Sequence, residues 1–442
     1  MPLTADEGTG MSPGLSKVAE RARKYPDARF MSIAHLLDEE ALKRAYGRIR
    51  KDAARGVDGI SKDKYGQHLE ERIRELHGRL KEKRYRHQPI RRVHIPKAPG
   101  KTRPIGISTI EDKVVQGVLR EVLEAVYEQD FLPCSFGFRP GRSAHDALRS
   151  LDQMAFRGGI KVVLEADIQA FFDSIDRKRL LELLQIRIAD TSLLRLIGKC
   201  LHVGVLDGEE FSTPEEGTAQ GSILSPMLGN VYLHYVLDLW FELVVQPQLS
   251  GRARLIRYAD DFVIGFERED DAKQVLGLLH QRMAEYGLTL HPEKTRLVPF
   301  ERPRKGEDAD ECTETFDFLG FTILWSRSRS GSWILGMKTR KARLQRALKA
   351  FGEWCRSHRH LPLKVQHAAL SRRLRGHYQY FGVNGNARSL EMLRHGAMRL
   401  WHKWLERRSQ RGRLPWKRFN AYLDAFPLPP PRVCVQIWGT AP

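Results

Sequence analysis

The stretch RLIRYADDFVIGFE, residues 254–267, constrains the fold more than any other part of the chain. Two adjacent carboxylates, Asp260 and Asp261, stand between Leu255, Ile256 and Tyr258 on one side and Phe262, Val263, Ile264 and Phe266 on the other. Apolar and β-branched runs of that length read as strands. An uncompensated acid inside such a strand would cost several kcal/mol or protonate, at roughly 2–7 kcal/mol even for a neutral polar group. The unit therefore predicts a hairpin whose turn carries the acids, with either solvent or a cation facing them. Taken alone, YADD suits a plain polar hairpin turn equally well, because Asp is common in turns.

A second acid separates these readings. Asp167 closes the strand-like run KVVLEAD, 93 residues before Asp260, and a neighbouring strand would bring it beside the pair. Two or three carboxylates at one sheet edge make an oxygen site for a hard cation. Mg²⁺ suits such sites because it keeps waters and takes its remaining ligands from phosphates. Two such ions about 3.5–4 Å apart serve in-line phosphoryl transfer in polymerases.

Charge points to the same class of substrate. The 442 residues carry a formal net charge of +20, unevenly spread. Residues 1–110 hold 25 Lys/Arg against 14 Asp/Glu, residues 111–336 hold 26 against 36, and residues 337–418 hold 22 against 3. An acidic centre between two basic ends predicts a polyanion held on both sides. A solvated basic face is the plainer reading of the same counts. With 41% hydrophobic residues the chain is globular, and it lacks an apolar run of about eighteen residues that would span a membrane. The five cysteines are far apart with no CxxC pair, which predicts neither a disulfide framework nor a cysteine zinc site and fits a reducing cytoplasm.

Periodicity predicts helices in EEALKRAYGRIRKDAA, YGQHLEERIRELHGRLKEKRY, EDKVVQGVLREVLEAVYEQ, RKRLLELLQIRI (Asp176 as N-cap) and DDAKQVLGLLHQRMAEYGLTL. IRRVHIPKAPGKTRPIGIST reads as two strands about a Pro/Gly/Lys-rich turn, and TFDFLGFTILW as a strand. Three basic helices follow at about 338–358, 363–381 and 387–409, and AFPLPPPRV cannot continue as helix. These readings divide the chain into a flexible leader (1–37), a mixed α+β region (38–330), an all-helical basic region (331–431) and a tail (432–442).

From about residue 38 to 431 the ordered series AARGVDG, IPKAPGKTRPIGI, FLPCSFGFRPGRSAHDAL, EADIQAFFDSID, GTAQGSILSPMLGNVYLHYVLD, RYADDFVIGF, GLTLHPEKT and FDFLGF resembles group II intron-encoded reverse transcriptases/maturases of the bacterial type. LRGHYQYFGVNGN and WHKWLERRSQ look like that family's thumb or maturase region. The resemblance implies a right-hand polymerase with fingers and palm on antiparallel sheet and a helical thumb. It implies RNA-directed DNA synthesis from dNTPs with two Mg²⁺ ions (Mn²⁺ as substitute), on an RNA template with a DNA primer or target, and binding of intron RNA to assist splicing and mobility. A bacterial, cytoplasmic protein, nucleoid-associated when on DNA, is expected.

Carried over by motif, Asp167, Asp260 and Asp261 are the metal-binding and catalytic acids, with the Ile168 carbonyl a further ligand. Lys294 in HPEKT is placed to protonate the leaving pyrophosphate. Lys97, Lys101 and Arg103 would fold over the triphosphate. Phe172 would be the steric gate against a ribose 2′-hydroxyl, with Phe171 as core. Gln220 would contact the dNTP and Gly221 permit close backbone approach, although the family's usual PQGG is AQGS here. Tyr258, Leu319 and Gly320 would face the primer, Tyr258 reading equally as a core aromatic. The chain shows no cysteine-rich HNH endonuclease segment after PPPRVCVQIWGTAP, so second-strand cleavage is not expected of it. Two other functions fit parts of the pattern: an RNA-binding splicing factor without catalysis, and a reverse transcriptase domesticated for defence or DNA repair.

Overall fold

The computed structural model describes residues 11–98, 101–208, 210–212, 216–218, 221–304, 314–328, 330–409 and 413–438. Within these residues the strands form three sheets. The first orders β2 (Lys101–Ile107), β1 (Ile90–Ala98), β4 (Val205–Asp207) and β5 (Glu210–Ser212). The β1–β2 hairpin slips register between Pro96 and Ala98, leaving Lys97 as the extra residue of a bulge. The second sheet orders β6 (Ala253–Tyr258), β7 (Asp261–Phe266), β3 (Val162–Asp167) and β8 (Arg296–Pro299), antiparallel throughout. The third orders β11 (Trp333–Thr339), β10 (Phe321–Arg327) and β9 (Phe316–Phe318). This is the mixed α+β architecture expected of fingers and palm followed by a helical region.

Why the YADD strands lack polar alternation is plain from the second sheet. Val162, Leu164, Ala166, Leu255, Phe262, Ile264 and Phe266 enter one core with the helices Ile110–Tyr127 and Arg177–Gln185. Val163, Ile256 and Val263 point the other way, into a second core with the helix Ala144–Arg157 and the third sheet. Both faces are covered, so period-2 alternation runs between two apolar environments rather than between core and water. The strand ends carrying the acids are partly open to solvent.

Three expectations change. The leader is not free over 11–37. Ser12 caps the helix Pro13–Lys24, which buries Leu15, Val18, Ala19 and Ala22 in the first core. Phe30 pairs with Ile188, and the Arg187 side chain donates to the carbonyls of Ala22, Tyr25, Pro26 and Ala28. Second, a boundary at 330 cuts the β10–β11 hairpin, in which Arg327 faces Trp333. The helical region begins instead at Lys341 and holds Lys341–Ser357, Leu363–Phe381, Ala387–Glu406 and Trp416–Ala425. Third, the single strand TFDFLGFTILW is two strands about a Leu319–Gly320 turn, with φ of 52° and 81°. The tail is also tied in: Val435 pairs with Val383, and the Ile437 N–H donates to Asn384 Oδ1 at 2.8 Å.

Candidate active site

The hairpin of β6 and β7 is closed by a two-residue turn, Ala259–Asp260, with Tyr258 paired to Asp261 across it. Asp260 therefore sits in the turn and Asp261 is the first residue of β7. In the neighbouring register Asp167, the last residue of β3, lies opposite Asp261. The three acids share one sheet end, each half-buried.

Their electrostatics record that crowding. Burial, then the Asp167 and Asp260 carboxylates, push Asp261 up to about 7, and a backbone N–H from Leu319 partly offsets this. Burial and Asp167 likewise raise Asp260, while Arg103 and Lys294 pull it back. Carboxylates that penalise one another's charge are a donor set that a cation relieves. Among the described residues no three His, Cys, Asp or Glu side chains close into a ready-made metal cage. The Asp167 carboxylate is instead taken by Lys294, whose Nζ donates to Oδ2 at 2.5 Å. The acids fit a hard cation by donor chemistry, as an open site whose remaining ligands come from water and phosphate. Ile168 follows Asp167 in an isolated bridge to Leu290.

Around the acids the other expected residues fall as follows. Arg103 is exposed on β2 and felt electrostatically by Asp260 and Asp173. Lys97 and Lys101 belong to the β1–β2 backbone, and their side chains lie outside the described residues, as does the whole of Gln220. Gly221, at φ 106°, packs so tightly on β2 that a Cβ would stand 2.6 Å from the Gly106 carbonyl oxygen. The Ile223 N–H donates to Gln116 Oε1 at 3.1 Å. These contacts hold the loop following Gln220 against the fingers. Phe171 is core and Phe172 is half-buried beside it. The Phe172 carbonyl accepts from the Thr218 N–H at 2.6 Å. Tyr258 is partly buried against the second core. The Leu319–Gly320 turn reaches the acids through its hydrogen bond to Asp261, and Tyr380 of the helical region donates to the Leu319 carbonyl at 2.9 Å.

The sequence reading passed over Arg257, Asp238, Asn230 and Ser135, which form a buried network directly under the turn. One signal was available: Arg257 in ARLIRY stands between the apolar pair Leu255 and Ile256 and the aromatic Tyr258, where a charge needs a buried partner. The partners themselves lie 19, 27 and 122 residues away, beyond what a local pattern shows.

Residues 95–323 match the family described as reverse transcriptase (RNA-dependent DNA polymerase). The chain is 37% identical over 382 residues to an uncharacterized 91 kDa protein in the cob intron of Schizosaccharomyces pombe, covering 74% of this chain and 46% of that protein. It is 36% identical over 231 residues to the group II intron-encoded protein LtrA of Lactococcus lactis, covering 51% of this chain and 38% of that one. It is 28% identical over 358 residues to protein YkfC of Escherichia coli, covering 71% and 88%. Against the first two, the chain spans less than half the relative's length.

Proposed function

Because the chain belongs to the reverse transcriptase (RNA-dependent DNA polymerase) family, we propose that it is an RNA-directed DNA polymerase that also binds an intron RNA to assist its splicing and mobility. The observation that carries the polymerase reading is the register Asp167↔Asp261 beside the Ala259–Asp260 turn, which gathers three acids at one open sheet end.

Asp167, Asp260 and Asp261 would hold two Mg²⁺ ions, which lower the pKa of a primer 3′-hydroxyl and stabilise charge on the leaving pyrophosphate. The chain's own residues do the rest. Arg103, reaching from the fingers, orients the triphosphate and offsets its charge. Lys294 neutralises Asp167 when no nucleotide is bound and donates a proton to the departing pyrophosphate oxygen. Phe172 excludes a 2′-hydroxyl by bulk, since an apolar wall alone rejects an added hydroxyl weakly. Tyr258, Leu319 and Gly320 support the primer end. The intron role is supported by the names of the S. pombe and L. lactis relatives and by the basic helical region. No helix among the described residues is long and apolar enough to cross a membrane. We place the protein in the cytoplasm and on DNA when engaged with it.

Primer extension on an RNA template with dNTPs and Mg²⁺ tests the reading. The wild type should extend and Asp260→Asn should not, with RNA affinity unchanged between them. Failure of both to extend, with tight RNA binding retained, would favour a splicing factor without catalysis.

A further inference from the structure

Arg257 is fully buried, one residue ahead of Tyr258. Every N–H of its guanidinium is used. Nε donates to Asp238 Oδ1 at 2.7 Å, and Nη2 donates to Asp238 Oδ2 at 2.5 Å and to Ser135 Oγ at 2.8 Å. Nη1 donates to Asn230 Oδ1 at 3.0 Å and to the Ala259 carbonyl at 3.1 Å. We propose that Arg257, set by Asp238, Asn230 and Ser135, is the positioning residue that fixes the Ala259–Asp260 turn and thereby aims the metal-binding carboxylates. The assignment rests on the polymerase reading above.

The turn needs such a device. Two-residue hairpin turns with positive φ favour Asn, Asp or Gly at the first position. This one has Ala259, at φ 57°, a conformation that a Cβ disfavours. The Ala259 carbonyl is held by Arg257, and its N–H side is blocked by Gly137, where a Cβ would stand 2.4 Å from the Ala259 nitrogen. The Gly137 carbonyl accepts from Asn230 Nδ2 at 2.8 Å. The Arg257 backbone is clamped as well, its N–H donating to Cys134 O and its carbonyl accepting from Phe136 N–H. Three stretches far apart in sequence, 134–137, 230–238 and 257–259, thus meet beside the turn.

Asp238 reaches Arg257 from a helix that departs from α geometry. Eight residues of α-helix advance about 800°, which would put residue 238 roughly 80° off the face of residue 230. A π-helical stretch over His234–Asp238 absorbs one extra residue and restores a shared face. Such insertions are frequent at functional sites. Stability alone does not call for the arrangement, because a buried ion pair can often be replaced by apolar residues without loss. The salient property is that one of the five donors ends on the turn.

The test is the double variant Arg257→Met/Asp238→Leu, which leaves no unpaired buried charge, alongside Arg257→Lys, which keeps the charge opposite Asp238 but has three donors for five acceptors. Both are measured in the full chain for melting temperature, affinity for an RNA–DNA template-primer, single-turnover dNTP incorporation with its KM, and Mn²⁺ binding by electron paramagnetic resonance. We expect a near-native melting temperature, unchanged template-primer affinity and dNTP KM, incorporation slower by about 100-fold, and weakened Mn²⁺ binding, with no rescue by lysine. A folded double variant that incorporates and binds Mn²⁺ like the wild type would overturn the proposal. A wild type that incorporates nothing would defeat the polymerase reading instead. In that case Mn²⁺ binding still decides, and equal affinity in wild type and variants overturns the positioning role. If the double variant does not fold, Arg257→Lys carries the same comparisons.

Discussion

At the scale of single residues, titration distinguishes groups that belong to the buried scaffold from those facing solvent. His234 lies in the π-helical stretch, 2% exposed, with the Phe131 ring at 5.4 Å and no hydrogen bond to Nδ1. Burial lowers it to about 4 from 6.5, Asp238 opposing and Arg257 and Arg139 assisting. A histidine that refuses its proton when folded makes the unfolded chain the stronger base between these values. Stability therefore falls as pH falls from 6.5 towards 4, by up to about 3 kcal/mol. Urea unfolding of wild type and His234→Leu at pH 7 and pH 4.5 should show the variant losing less stability on acidification by about that amount. A constant repacking cost would shift both variant values and leave this difference intact. Parallel losses would mean that His234 is solvated. At this scale the sequence was most legible in placement: Asp167, Asp260, Asp261, Lys294 and Arg103, expected together from their motifs, lie near one another at one sheet end. What escaped was the layer beneath, because Arg257 in its apolar run calls for a buried partner but only the fold identifies that partner as Asp238.

Elements are legible from local pattern up to the point where distant contacts decide. Most helices and strands were legible from periodicity and caps, including Asp176, whose carboxylate accepts from the N–H groups of Lys178 and Arg179. The failures share a cause: contacts distant in sequence. The helix Pro13–Lys24 looked mobile because its small apolar face, Leu15, Val18, Ala19 and Ala22, has no local partner and needs the helix Ile110–Tyr127 to be buried. The Leu319–Gly320 turn escaped because its first residue is leucine, which composition rules do not assign to positive φ. Asp190 is the joint between the leader and the rest. One oxygen caps the helix Thr191–Leu201 through Ser192 and Leu193, and the other accepts from Ile33 and Ala34 at 2.8 Å each. Burial would raise this carboxyl, but the four backbone donors prevail and hold it below its ordinary value. Asp190→Ala should cost about 3 kcal/mol, more than the ~1 kcal/mol of a simple cap, because two further N–H groups lose their acceptor. Proteolysis should then cut first within residues 25–38. A loss no larger than that of an isolated cap, with the leader still protected, would show that the apolar face alone docks it.

For the whole molecule, charge and architecture now coincide. The sheet that carries the acids falls within the segment of net negative charge, while the strand β2 bearing Arg103 belongs to the basic first segment and the helices from Lys341 onward to the basic third. An acidic centre repels nucleic acid unless cations or flanking basic surfaces hold it there, so under the proposed function template-primer affinity is expected chiefly from the two flanks. Each phosphate neutralised by Lys or Arg releases condensed counterions, and the logarithm of affinity then falls linearly with the logarithm of salt. If the flanks make six to ten phosphate contacts, roughly the number for which losses of about 10³–10⁵ are typical between 50 and 200 mM salt, affinity for an RNA–DNA duplex should drop by that factor. Exposed ion pairs such as Lys273–Glu269 also weaken with salt, yet they contribute little to stability, so melting temperature should hardly move over the same range. Filter binding and thermal unfolding across one salt series separate the effects. Steep loss of binding at constant melting temperature is the signature of a polyanion gripped on two sides. A flat binding curve would place the affinity in stacking and base contacts at the centre, and the basic flanks would then be a solvated surface.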